Sequence, residues 1–288
     1  MKIDFFIVGA PKAGTTSLYY YLNEHPEIAM SMQKETDFFS DESLQKQRLY
    51  YGKNRIETIE KYHALFRQKQ DKIYGEASVS YLFYEDVPKK IKIYNPKGKI
   101  IIMLRNPTDR AFSHYLMDYR LGLISKPFES ILEDEKEDKK SKLFYQQFIE
   151  LGLYYKQVKR YIETFGRENV IIIFYDDFKK DVAKEIQKVY EFLAVDTAYI
   201  AKISKKHNTY SMPKNNCIRM IYSFVGFRKV LNKILPKQIV KNLKEILFSK
   251  ENKPLLSDSL KVKLNNLYAN DIKRLEELLS CDLSQWTK

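Results

Sequence analysis

Cysteine and histidine are scarce: two cysteines, Cys217 and Cys281, and four histidines in 288 residues. The cysteines lie far apart, and neither a Cys-x-x-Cys pair nor a Cys/His metal spacing occurs, so a metal site is not expected. Such sparse cysteine makes a reducing compartment the default, with one bridge left open. Internal repeats, Gly/Ser linkers and a composition break are also missing, so residues 1–288 read as one domain. The opening apolar run, MKIDFFIVG, has no leader cleavage site and is too short to cross a membrane. It reads as a buried strand, and the protein as cytoplasmic. No RNA-binding signature or aromatic-basic repeat is present, which argues against a non-catalytic nucleic-acid binder.

What is present is a folded composition, 44% hydrophobic, with 22 tyrosines and 17 phenylalanines that must serve the core as well as any site. Fifty Lys and Arg against 37 Asp and Glu give a net charge of +13, which suits polyanionic partners such as nucleotides, acidic glycans or lipid headgroups.

Three apolar runs, residues 3–9, 97–107 and 169–178, each lead into a helical pattern: 15–25, 108–122 and 181–194. Strands alternating with helices predict an α/β fold with a central parallel sheet. The later chain is mostly helical, ending in a long amphipathic pattern over 257–279. Residues 127–142 read as one charged surface helix. The stretch 227–248 mixes lysines with apolar residues and suits either a helical pair on the core or a membrane-surface contact.

Ligands of such sheets bind beyond the C-terminal ends of the strands. The first strand ends in GAPKAGTTSL (9–18), which keeps the glycine spacing of a nucleotide phosphate loop, G-x-x-x-x-G-K-[ST], but has Thr15 where that motif has lysine. Lysine appears earlier, as Lys12. Helix-start N–H groups, Gly14 and the Thr15, Thr16 and Ser17 hydroxyls make an anion site. Without an evident acidic run for Mg²⁺, Lys12 can itself neutralise phosphate and follow charge onto a leaving oxygen. The second run leads into LRNPTDRAFSHY (104–115). Arg105 stands at a strand end, and a helical path brings Ser113, eight residues on, towards the same anion. In MQKETDFFS (32–40), Glu35 beside Phe38 and Phe39 is a candidate base.

Together these stretches resemble a sulfotransferase that uses 3′-phosphoadenosine 5′-phosphosulfate (PAPS), of the bacterial branch similar to the heparan-sulfate glycosaminoglycan enzymes. GAPKAGTTSL is similar to the 5′-phosphosulfate loop, LRNPTDRAFSHY to the 3′-phosphate motif, and KETDFF to the segment with the catalytic glutamate. GEASVSYLF (75–83) resembles a cleft-lining segment, and 152–178 and 271–286 also look like the family.

The resemblance implies a P-loop-like three-layer α/β/α fold and sulfuryl transfer to a hydroxyl or amine, most readily on a glycan or glycolipid. Glu35 would be the base and Lys12 would stabilise the leaving group. Pro11, Lys12, Ala13, Gly14, Thr15, Thr16 and Ser17 would hold the 5′ end of the donor, and Arg105 and Ser113 the 3′-phosphate. Asn208, Tyr210 and Lys214, within KKHNTYSMPKNN (205–216), would close over the adenosine; Lys34, Glu76 and Ser78 would lie on the substrate side. No metal and no nucleic-acid partner is implied.

Two positions depart from the pattern: Ala77 stands where the glycosaminoglycan enzymes have a lysine, which leaves either Lys34 or no residue in its place, and Val79 replaces a usual proline. Some relatives use a histidine base. Here His25 reads as structural, His114 sits in the 3′-phosphate element, and His63 and His207 read as surface residues. Asp176 and Asp177 read as helix caps. A P-loop kinase is the rival enzyme reading, and it would need lysine at position 15.

Overall fold

The computed structural model describes residues 1–48, 51, 55–67, 72–133, 138–201, 212–215 and 254–287, with isolated positions between 218 and 249. Five strands, β1 (Phe5–Gly9), β2 (Ile28–Met30), β3 (Ile73–Ala77), β4 (Lys99–Leu104) and β5 (Val170–Phe174), form one parallel sheet in the order β2-β3-β1-β4-β5. All five residues of β1 are buried, as a central parallel strand covered on both faces requires. From β1 the chain passes to the edge strand β2 and returns to β3 between the two, then crosses to β4 and β5 on the other side. That reversal opens a crevice beyond the strand tips.

The connecting helices are α1 (Thr15–Glu24), α2 (Asp41–Gln47), α3 (Ile59–His63), α4 (Val87–Tyr94), α5 (Pro107–Arg120), α6 (Phe128–Glu133), α7 (Lys139–Phe148), α8 (Tyr154–Phe165), α9 (Tyr175–Lys180) and α10 (Val182–Leu193), with a last long helix at Asp258–Leu279. One group packs α1 and α10 with the sheet. A second places α8 against β4, β5, α4 and the last helix, completing an α/β/α sandwich. A continuous core runs from Ile3 to Trp286.

The three apolar strands form within the runs the sequence marks and their expected helices follow, but β5 stops at Phe174 and a short helix, α9, takes residues 175–178 that were expected to extend the strand. β2 and β3 carried no such signal. β2 has only three residues, and β3 contains Gly75 and Glu76 in place of an apolar run. Gly75 is required because the ring of Phe5 lies across it: a Cβ there would sit 2.1 Å from Phe5 Cζ. The charged stretch 127–142 is not one surface helix. It contains α6, whose Phe128 and Ile131 are buried, and the start of α7; residues 134–137 between them are outside the described set.

Candidate active site

The tips of β1, β3 and β4 and the helices that follow enclose a cleft of about 1090 Å³. On the β1 side, Gly14 (φ 95°) caps α1 in the left-handed region that glycine adopts without strain. A glycine cap has no side chain to satisfy the first N–H groups of the helix; Ser17 N–H donates to Gly14 O (3.0 Å), and the N–H groups before it are left for a ligand. Pro11, Lys12, Gly14, Thr15, Thr16 and Ser17 line the cleft, and Ala13 is buried behind them. The loop is tied down by Ala10 N–H donating to Met103 O of β4 (2.6 Å). Lys12 is also left-handed (φ 67°), a conformation that costs a non-glycine residue energy. Its ammonium lies 3.6 Å from Met117 Sδ on α5.

On the β4 side, Asn106 caps α5 by accepting from the N–H groups of Thr108 (2.9 Å) and Asp109 (3.3 Å), with Pro107 at the first helical position. Arg105, just before the cap, is held from several directions. The Tyr154 hydroxyl donates to its carbonyl at 3.0 Å, and its guanidinium lies over the Tyr175 ring at 4.7 Å and beside Asp109 at 3.5 Å. Arg105 Nη1 also donates to Lys12 O at 3.3 Å, which joins the two halves of the cleft floor. Its Nε is buried with no hydrogen-bond partner among the described residues. The chain's single tryptophan supports this corner: Trp286 O accepts from Asn106, and its ring meets those of Tyr154 and Phe174. Arg105, Asp109, Ser113 and Met117 recur every four residues, so one face of α5 fronts the cleft, and Arg120 continues it.

The third wall carries Lys34 and Glu35, which form an ion pair. Glu35 has φ 61°. Its N–H donates to Ala77 O and its Oε2 accepts from Val79 N–H, both at 2.9 Å. The carboxylate is therefore aimed by the backbone that follows β3.

Several sequence expectations need correction. Glu76 and Ser78 are fully buried beneath this wall and do not line the cleft. The Glu76 carboxylate accepts hydrogen bonds from Thr36, Ser78, Tyr81 and Tyr62, and burial pushes its pKa up while those hydroxyls oppose the rise. Ala77 is buried as well, whereas Lys34 is in the cleft. Lys214 is exposed beside a two-residue strand, β6 (Met212–Pro213), which pairs with β7 (Phe248–Ser249), and it does not line the cleft. Asn208, Tyr210, His207 and Cys217 lie outside the described residues, as does most of 227–248. Among the described residues no helix is long and apolar enough to cross a membrane.

His25 is structural, its ring nitrogens bonded to Asp196 O and Glu27 N–H. His63 is half-buried rather than a surface residue, 2.8 Å from the Tyr94 hydroxyl. His114 is buried at the cleft's rear wall, with Nε2 2.9 Å from the Tyr51 hydroxyl, which donates to Asp118 at 2.5 Å. Burial, Arg110 and Lys12 hold His114 well below the usual imidazole pKa. Asp176 and Asp177 lie within the first turn of α9, whose cap position is Phe174, so neither caps the helix as expected; Asp176 also reaches the cleft.

Tyr175, Met117, Arg120 and Thr36 were not foreseen as site residues. The four-residue spacing from Arg105 points to Met117, and Thr36 lies inside KETDFF. Tyr175 comes from a different strand end, and no local pattern marks it.

Loop, guanidinium and carboxylate thus meet at the tips of adjacent parallel strands. Residues 2–255 match the family model described as a sulfotransferase domain, and the chain belongs to the sulfotransferase family. A sulfotransferase from Alicyclobacillus acidocaldarius is similar over the full length of both chains, with 30% identity and a TM-score of 0.74. Bifunctional heparan sulfate N-deacetylase/N-sulfotransferase 4 of Mus musculus is 27% identical over 202 residues, covering 68% of this chain and 22% of that protein. Carbohydrate sulfotransferase 15 of Mus musculus is 26% identical over 241 residues, covering 66% of this chain and 43% of that protein. The chain spans less than half the length of either mouse protein.

Proposed function

We propose that this chain transfers a sulfuryl group from PAPS to a hydroxyl or amine of a carbohydrate acceptor, such as a polysaccharide sugar or a glycolipid. The observation that carries the reading is the pairing of two anion sites on one floor. The glycine-capped start of α1 and the Arg105–Ser113 face of α5 are joined by the Arg105–Lys12 hydrogen bond. A donor with phosphate at both the 5′ and 3′ ends of one nucleoside matches two such sites. The buried, unpartnered Arg105 Nε and the uncapped N–H groups of α1 fit those anions. The family membership and the carbohydrate acceptors named for the relatives support the same choice.

The donor supplies a sulfuryl group on a labile anhydride with phosphate. The α1 N–H groups and the Thr15, Thr16 and Ser17 hydroxyls bind and orient the 5′ end. Arg105 and Ser113 bind the 3′-phosphate. Lys12 places a positive charge beside the loop to follow charge onto the leaving oxygen. Glu35 takes the proton of the acceptor hydroxyl or amine. Lys34, beside Glu35, serves in place of the lysine absent at position 77. Position 15 is a buried threonine, so the structure offers the kinase reading no lysine there.

The test is transfer of labelled sulfate from PAPS across a glycan panel, with ATP as the control donor. Labelled glycan from PAPS and no phosphorylation from ATP is the expected result. Phosphoryl transfer from ATP, or no transfer from PAPS to any glycan, contradicts it.

A further inference from the structure

The chemistry above leaves Glu76 without a task, yet it is a fully buried carboxylate next to Ala77, whose carbonyl accepts from the N–H of the proposed base. Among the described residues no lysine or arginine pairs with it. Its compensation comes from hydroxyls: Tyr62 donates to Oε2 at 2.6 Å, Ser78 and Tyr81 to Oε1 at 2.7 and 2.8 Å, and Thr36 also to Oε1. An ionised carboxylate only accepts, so each of these hydroxyls is committed as a donor toward it. A hydroxyl has one proton, and its lone pairs then face the other way.

Those lone pairs are used in sequence order along the turn after Glu35. Ser78 Oγ accepts from Asp37 N–H at 3.0 Å, Thr36 Oγ1 from Phe38 N–H at 3.4 Å, and the Tyr81 oxygen from Phe39 N–H at 3.2 Å. One carboxylate thus sets the polarity of three hydroxyls, and they bind three consecutive backbone donors. The turn they hold contains two left-handed non-glycine residues, Glu35 (φ 61°) and Asp37 (φ 53°), which persist only where the surroundings over-determine them.

We infer that Glu76 is a positioning residue: through Thr36, Ser78 and Tyr81 it fixes the turn at 35–39 and so holds the Glu35 carboxylate in line with the acceptor. A neutral amide at position 76 would turn N–H groups toward some of these hydroxyls, reverse their polarity and release backbone N–H groups of the turn. The inference rests on Glu35 being the base.

The test uses four full-length variants: Glu76→Gln, Thr36→Val, Thr36→Ser and Glu35→Gln. Each is assayed for kcat and acceptor KM, and by calorimetry for adenosine 3′,5′-bisphosphate. Glu76→Gln and Thr36→Val should lose roughly a hundredfold in kcat, the scale of an ångström-sized misplacement, while donor-product affinity and acceptor KM stay near wild type. Thr36→Ser, which keeps the hydroxyl, should restore kcat. A wild-type kcat in Thr36→Val overturns the inference. So does a kcat loss matched by an equal loss of nucleotide affinity, or a Thr36→Ser variant as slow as Thr36→Val. Should Glu76→Gln not fold, the Thr36 pair decides alone. A wild-type rate in Glu35→Gln removes the base assignment instead, a result distinct from a Thr36→Val variant that is active while Glu35→Gln is dead.

Discussion

Arg105 Nη1 donates to the backbone carbonyl of Lys12 across 3.3 Å, so the ends of β1 and β4 share a hydrogen bond at the floor of the cleft. The bond goes to the Lys12 backbone, whereas its ammonium lies beside Met117 Sδ. The two anion sites are therefore fixed relative to one another while their charges can be removed one at a time.

Lys12→Ala should lower turnover by about 10²–10³-fold, the usual loss when one donor to a developing negative charge is removed. Affinity for adenosine 3′,5′-bisphosphate should fall much less, because the Arg105 bond to the Lys12 carbonyl survives. Steady-state kinetics with calorimetry checks this; an unchanged rate removes Lys12 from the chemistry.

Glu35→Gln should lose about 10²–10⁴-fold in turnover, the span expected of a positioned base. The amide keeps an oxygen to accept from Val79 N–H, so the fold and nucleotide affinity should be preserved. Single-turnover rates with labelled PAPS make the comparison, and wild-type turnover contradicts the role.

His114 gives the folded protein a pH dependence. Burial, then the charges of Arg110 and Lys12, hold its pKa well below the ordinary value. Below pH ~6.5 the unfolded chain takes up a proton that the folded imidazole refuses, so stability falls as pH falls, by at most about 1.4 kcal/mol per pH unit from this group. His63 is also lowered, mainly by burial, and adds in the same direction. The readout is therefore the difference between wild type and His114→Gln in urea melts from pH 7 to 5. The variant should show the shallower decline, and identical slopes contradict the assignment.

The extent to which sequence alone reveals this molecule depends on where the signal is local. β1, β4 and β5 are unbroken apolar runs, and the glycine loop and the Arg105–Ser113 pair each lie within one strand-to-helix connection. β3 was hidden because its two informative residues answer to partners that no strand pattern shows: Gly75 yields to the Phe5 ring, and Glu76 is an acidic residue inside a strand, accommodated by the hydroxyls of Ser78 and Tyr81 just after it and of Thr36 and Tyr62 from other elements. Glu76 was expected on the substrate side from the family resemblance of 75–83, and its burial is why that expectation failed. Tyr175 beneath Arg105 was unreadable because stacking between two strand ends leaves no spacing along the chain.

Gly75→Ala tests the hidden strand. Its new methyl would fall within 2.1 Å of the buried Phe5 ring, and overpacking of that kind costs about 1–3 kcal/mol. A lower urea midpoint with unchanged slope is expected, eased in the Gly75→Ala, Phe5→Leu double variant. An unshifted midpoint would mean that the ring moves aside freely.

The central claim is that one nucleotide is gripped at both ends, and calorimetry of two nucleotides on two proteins reads it directly. Adenosine 3′,5′-bisphosphate should bind the wild type more tightly than adenosine 5′-monophosphate. Arg105→Gln should erase most of that advantage, roughly 10–100-fold for a charge-assisted contact, while weakening the monophosphate much less, through the lost bond to the Lys12 carbonyl alone. Equal weakening of both nucleotides by Arg105→Gln, or a wild type that does not distinguish them, would contradict the account.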